Sequence, residues 1–286
     1  MSFDPSSARS FAVVTDSTSD IDPALAAQRG ITIVPLLVSF GEESFLDGTI
    51  TQPEFFDRMG KAPTLPTTSQ PSVGAFNEAY TAALETADEV ISIHISSALS
   101  GTMGSATQAA SEFDGRVHVF DSRNLSWGCA LQVLDAVAAA DEGLTAAQAL
   151  ERLESTRTRS KMIVGVDSLD NLSRGGRIGK VSAFMGSLLN LKVTFTVDED
   201  GAFAPVHRSR GEKAAIADTL TWVDEQMQGH SSAIFAVGHA MSLPRAERIA
   251  EQLESRYDVK EMHIYEAGTV IATHTGTVWG VSLLPL

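Results

Sequence analysis

The sequence predicts an α/β protein: a mostly parallel sheet covered by helices on both faces, followed by a smaller α+β domain. Three observations carry this. From Phe11 to about residue 158, short β-branched apolar runs alternate with helix-compatible stretches, the pattern of strand–helix–strand units. The run Val90–Ile95 breaks into Ser96, Ser97, Ser100 and Gly101 before a helix, and the carboxyl edge of an open sheet is where ligands bind. Beyond Lys161 the order changes to a strand, a basic glycine-rich loop and a hairpin over residues 193–210. The 286 residues exceed what one core usually serves, so two domains are expected, 1–158 and 159–286.

The elements follow in order. FAVVT (11–15) is the first strand and ends in Asp16-Ser17-Thr18. Asp22 is the N-cap and Pro23 the first residue of a short helix that Gly30 closes. ITIVPLLVSF (31–40) supplies one or two extended segments, interrupted by Pro35. Thr51-Gln52-Pro53-Glu54 has the form of a capping box and opens a helix to about Met59. Three prolines between Lys61 and Pro71 exclude regular helix there, and a helix over about 72–86 leads into the central strand. RVHVF (116–120) is the next strand, ending in Asp121-Ser122, and two Ala-rich helices follow it.

In the second half, MIVGV (162–166) reads as a strand, NLSRGGRIGK (171–180) as a loop and SAFMGSLLNL (182–191) as a short apolar helix. The hairpin turns at Asp198–Gly201. A helix (about 212–228), a strand (232–240), a helix (244–256) and a strand (261–267) come next. TVIATHTGTVWGVSLL (269–284) reads as one or two strands around His274. No repeat period is present.

Bulk properties narrow the function. A formal charge of −15 argues against nucleic acid or an anionic membrane surface as the main partner. The longest apolar run, near residues 31–40, is too short to span a bilayer, so no stable membrane insertion is expected. MSFDPSSARS has no apolar core of a secretion signal. The single cysteine, Cys129, permits no intrachain disulfide and suits a reducing cytoplasm. Clustered His/Cys spacings and H-E-x-x-H do not occur in the sequence, so no metal is expected.

The polar residues divide into two groups. Asp16-Ser17, Asp121-Ser122 and Asp167-Ser168 all end strands; they either cap and turn the chain or supply one crevice. Ser96 and Ser97 either serve a ligand or leave the turn to N-capping by a neighbour such as Ser100; the G-x-S-x-G elbow of a serine nucleophile is missing. Gly175-Gly176-Arg177-Ile178-Gly179-Lys180 falls one residue short of a Walker A loop, and Val181 stands where Ser or Thr is required. With Arg174, Arg208 and Arg210 it forms a basic patch suited to a phosphate or an acidic partner, or simply a solvated turn. His94, between Ile93 and Ile95 on a strand, is expected to be packed.

TDSTSDI (15–21), TTSQPS (67–72), ISSALSGT (95–102), FDSRN (120–124), GGRIG (175–179) and THTG (273–276) occur in the order of the DegV family, which the chain resembles along essentially its whole length. These are bacterial fatty-acid-binding proteins, including the FakB subunits of fatty acid kinase. The resemblance implies a Rossmann-like N-terminal domain, a smaller C-terminal domain and one long-chain fatty acid buried between them. It implies that Thr68 and Ser97 hydrogen-bond the carboxylate, that His274 lies by the head group, and that Ser69 and Ser96 neighbour it. It further implies an ATP-binding kinase subunit as partner, met through Arg177 with Arg208 or Arg210, and no cofactor beyond the bound fatty acid. Two other readings compete with this carrier: a serine-dependent hydrolase or acyltransferase using Ser97 with His274, and a nucleotide-binding regulator using the GGRIG loop.

Overall fold

The computed structural model describes residues 9–184 and 191–286. Its first half contains strands β1 (Phe11–Asp16), β2 (Ile31–Val34), β3 (Leu37–Phe40), β4 (Glu43–Leu46), β5 (Thr67–Ser69), β6 (Glu89–His94) and β7 (Val117–Asp121). Helices α1 (Pro23–Arg29), α2 (Gln52–Lys61), α3 (Val73–Ala83), α4 (Thr102–Ala110), α5 (Ser126–Asp141) and α6 (Ala146–Arg159) are interleaved with them. The sheet order β2-β1-β6-β7 is parallel throughout. One face packs on α5 and α6 through Ile91, Ile93, Val133, Ala136 and Leu153. The other packs on α3 and α4 through Val14, Val90, Phe76 and Ala106. Burial on both faces is why these strands read as continuous apolar runs.

Pro35 does more than interrupt its segment. Residues before it join the parallel sheet, and those after it form a separate antiparallel sheet, β4-β3-β5. The sequence does not foretell β4 or β5. β4 is largely exposed and β5 has three residues, so neither carries a burial pattern.

The second half holds β8 (Lys161–Val166), α7 (Asp170–Arg174), β9 (Leu191–Val197), β10 (Phe203–Arg210), α8 (Glu212–Gln226), β11 (Ser232–Ala240), α9 (Leu243–Glu254), β12 (Asp258–Glu266), α10 (Thr269–Thr275) and β13 (Val278–Pro285). Its sheet, β10-β9-β8-β13-β11-β12, is antiparallel except where β11 meets β12. α8 and α9 cover one face through Val223, Ile249 and Leu253. A further apolar cluster joins Leu36, Ile95 and Leu125 of the first half to Val164, Phe195, Phe203 and Ile271 of the second.

Two expectations are corrected here. NLSR is not loop: α7 spans it, and a 3-10 turn runs over Gly179–Phe184; residues 185–190 of the expected apolar helix lie outside the described residues. More consequential is 269–275, expected as strand and found as helix α10. Its Thr, Val and Ile residues favour strands locally, but tertiary contacts override that preference. Asp47 accepts hydrogen bonds from the Thr269 and Val270 N–H groups and the Thr269 hydroxyl, and Asp20 accepts from Gly268 N–H. Those carboxyl groups supply the acceptors a helix start needs. Thr273 and Thr275 donate their hydroxyls to carbonyls four residues back, so their buried polar atoms are satisfied in a helix.

Candidate functional site

β5 pairs with β3 in a register that sets Thr68 opposite Val38, and α10 packs against both strands. This brings together two side chains 206 residues apart: Thr68 Oγ1 and His274 Nε2 are 2.8 Å from each other. The opposite edge of the imidazole lies against Gly175, where a Cβ would stand 2.5 Å from Nδ1. Only glycine allows that approach. His274 Nδ1 is buried and has no hydrogen-bond partner among the described residues.

Burial, and then the nearby Arg177 guanidinium, push His274 down to about 4. The imidazole is therefore neutral at pH 7. An unfolded histidine titrates near 6.5, so between pH 6.5 and 4 the unfolded chain binds a proton that the folded chain refuses. Stability must fall as pH falls through that window. Relative to His274→Gln, the protein is expected to lose about 2–3 kcal/mol between pH 7 and 4.5, measured by urea unfolding at both values. Asp20, pushed up to about 8 by burial, has the opposite slope but is present in both proteins and cancels.

Thr68 and His274 line a hollow with about 480 Å³ of empty space, its open mouth included. Thr18, Ile95 and Ser100 contribute from the carboxyl edge of the parallel sheet, and Leu172, Arg177, Phe203 and Ile271 from the second half. Leu125, Phe203, Ile271 and Thr275 also line a second hollow with about 340 Å³ of empty space, open space included. Its other walls include Met162, Val164, Phe195, Val278 and Trp279. The two spaces share those four lining residues; the first carries the hydroxyl and imidazole groups of Thr68, Ser100 and His274, and the second is walled mainly by apolar side chains.

The remaining expected site residues are placed as follows. Arg177 is exposed at the mouth, its guanidinium donating to Gly175 O at 2.7 Å. Arg208 and Arg210 lie on edge strand β10, with Arg208 over the Phe184 ring at 5.7 Å, and neither lines the hollow. Ser69, exposed and next to Thr68 on a strand, projects to the other face. Ser96 is fully buried and donates to Gly201 O at 2.8 Å, tying the hairpin turn to the first half. Ser97 is exposed and donates to Asp121 Oδ2 at 2.6 Å. Ser97 is not among the residues lining the hollow, whereas Ser100, three residues on, is.

Ser97 and His274 are not paired with each other in this structure. Each hydroxyl or ring nitrogen faces a different partner, and no hydrogen bond joins them among the described residues. A Ser–His–carboxylate string does exist elsewhere: Ser92 Oγ to His94 Nε2 at 2.6 Å, and His94 Nδ1 to Asp16 Oδ2 at 2.9 Å. All three residues have zero exposure, and Tyr80 donates to Ser92. A sealed serine with its lone pair engaged cannot meet a substrate, so this string is structural.

The family described as an uncharacterised protein family, DegV, matches residues 10–286. The chain belongs to the DegV family. A DegV domain-containing protein of Deinococcus radiodurans is 38% identical over 279 residues, covering 97% of this chain and 99% of that one. A fatty-acid-binding DegV family protein of Thermus thermophilus has the same fold, with a TM-score of 0.93, 37% identity, and 97% and 100% of the two chains covered. DegV of Bacillus subtilis, a fatty acid binding protein, superposes with a TM-score of 0.87 at 33% identity over 97% and 100%.

In this DegV-family chain the three Asp-Ser pairs are mainly structural. Asp16 holds Thr18, His94 and Ile95; Asp121 holds Ser97 and Arg123. Asp167 pairs with Lys192 at 2.8 Å and Arg245 at 3.3 Å. Among the described residues no helix is long and apolar enough to cross a membrane. Thr18, Ser100, Phe203 and Ile271 were not singled out as site residues from sequence. Ser100 and Thr18 carried a signal, as hydroxyls at the ends of the central and first strands.

Proposed function

We propose that this chain binds one long-chain fatty acid between its two larger sheets, carboxylate at Thr68, Ser100 and His274, tail along the second hollow. The observation that carries this is a pair of hollows sharing four wall residues, the first bearing Thr68, Ser100 and His274 and the second walled mainly by apolar side chains. Burying an acyl tail is worth about 0.8 kcal/mol per methylene, roughly 10 kcal/mol or more for sixteen carbons. The head group must then avoid an unpaired buried carboxylate. If His274 Nε2–H donates to Thr68 Oγ1, the Thr68 hydroxyl is free to donate onward to the ligand. Arg177 at the mouth supplies the compensating charge without being buried. The fatty-acid-binding relatives from Thermus thermophilus and Bacillus subtilis support this reading.

Lipid extracted from natively purified protein, with native mass spectrometry for stoichiometry, tests it. One fatty acid per chain is the expected result; an empty protein that also refuses added fatty acid sinks the proposal. Ser100→Ala is expected to weaken displacement of a fluorescent fatty acid by about 1 kcal/mol. Ser97→Ala should stay within about 0.5 kcal/mol of wild type, and the reverse order would return the carboxylate to Ser97.

The finer proposal is a cytoplasmic carrier of two domains, 1–158 and 159–286, not catalytic alone, that presents the carboxylate to an ATP-binding kinase subunit for acyl phosphate formation. Arg177 is then the contact for the incoming phosphate or the partner, with Arg208 and Arg210 on the outer surface. ATP turnover by such a subunit should require this chain loaded with fatty acid. Turnover unaffected by its addition would remove the kinase role and leave lipid binding standing.

A further inference from the structure

We infer that Tyr265 is the back wall of the acyl path and sets the longest chain the protein accepts. This rests on the fatty-acid reading above. Tyr265 and Ala267 line the second hollow and also a separate open groove of about 1470 Å³. One aromatic ring and one methyl group thus divide an apolar interior from a groove lined by Asp20, Asp22, Asp47 and Glu266.

The ring is held in place from several directions. Tyr265 Oη and Ser126 Oγ are 2.7 Å apart, and Ser126 donates to Asp20 Oδ2 at 2.5 Å. Asp20 in turn accepts from Gly268 N–H at 2.8 Å, and its carbonyl accepts from Trp127 Nε1 at 3.2 Å. The Trp127 ring lies 5.5 Å from the Tyr265 ring. On the remaining side is Gly238, where a Cβ would come within 2.4 Å of Tyr265 Cζ. A wall built so closely cannot retreat for an extra methylene.

Backbone strain marks the same place. Asp20 and Ser126 both adopt left-handed conformations, φ 54° and 48°, which cost non-glycine residues energy and persist where surrounding structure over-determines them. The two strained residues are hydrogen-bonded to each other and through Ser126 to Tyr265. Burial pushes the Asp20 carboxyl up to about 8 and raises the Tyr265 hydroxyl. The clamp is therefore largely uncharged at neutral pH, as the end of an apolar path requires.

The test is a competition series of saturated fatty acids of increasing length on the full chain, comparing wild type with Tyr265→Ala, Tyr265→Phe and Ala267→Val. Wild-type affinity should rise with length and then fall by about tenfold or more over one or two further methylenes. Tyr265→Ala opens the path into the groove, so that fall should vanish or move to longer chains. Tyr265→Phe keeps the ring and should keep the wild-type limit. Ala267→Val thickens the wall and should shorten it, which decides the matter if Tyr265→Ala does not fold. A limit unmoved in both Tyr265→Ala and Ala267→Val overturns the inference while leaving fatty-acid binding intact. Uptake of no fatty acid by wild type overturns the underlying reading instead.

Discussion

Asp16→Ala is expected to destabilise the fold by about 3–5 kcal/mol, the largest effect of any substitution proposed for this protein. The Asp16 carboxylate has zero exposure and accepts from Thr18 N–H at 3.0 Å, from Ile95 N–H at 3.1 Å, from His94 Nδ1 at 2.9 Å and from the Thr18 hydroxyl. Alanine removes every one of these acceptors and leaves the donors buried without water. Such orphaned groups cost far more than an average hydrogen bond contributes. The consequence extends to the site, because Thr18 and Ile95 line the polar hollow. Urea unfolding of the variant measures the loss. A value below about 1 kcal/mol would mean that the strand ends rearrange to satisfy the donors, and that the strand-end network is not what shapes the hollow.

Thr68→Val is expected to weaken fatty-acid binding by about 1–3 kcal/mol while leaving thermal stability near wild type. Valine preserves the β-branched shape on a short strand and removes only the hydroxyl. That hydroxyl lies 2.8 Å from His274 Nε2, and in the proposed arrangement it links imidazole to carboxylate. Its loss leaves both ends short of a partner. Isothermal titration with one saturated fatty acid, beside a melting curve, separates the two effects. Binding within twofold of wild type would show that the carboxylate lies elsewhere along the path, whereas weaker binding with a large fall in melting temperature would assign Thr68 a structural role.

Most of the elements were legible because their signals are local. Asp22-Pro23 and Gly30 bound α1 as expected, since capping depends on residues within one turn. The hairpin turned at residues 198–201, since turn chemistry depends on four residues. Where the signal was shared with distant groups, the reading failed. The strand assigned around His274 became helix α10 because acceptors from Asp20 and Asp47, more than 220 residues away, satisfied its start. Within ISSALSGT, the sequence offered several hydroxyls at one turn and no means of ranking them. Backbone direction past the turn sends Ser96 to Gly201, Ser97 to Asp121 and Ser100 to the hollow.

By itself, then, the sequence determined the α/β class, the order of the main elements, the change of architecture near residue 161 and the motifs that place the chain in its family. Periodicity, caps and turns act over a few residues, so they survive reading in one dimension. The tertiary structure alone decided that Thr68 meets His274, that Pro35 divides one apolar run between two sheets, and that Tyr265 lines both the second hollow and the open groove. Each depends on which distant surfaces pack together, and packing free energy is shared among residues that no local pattern connects.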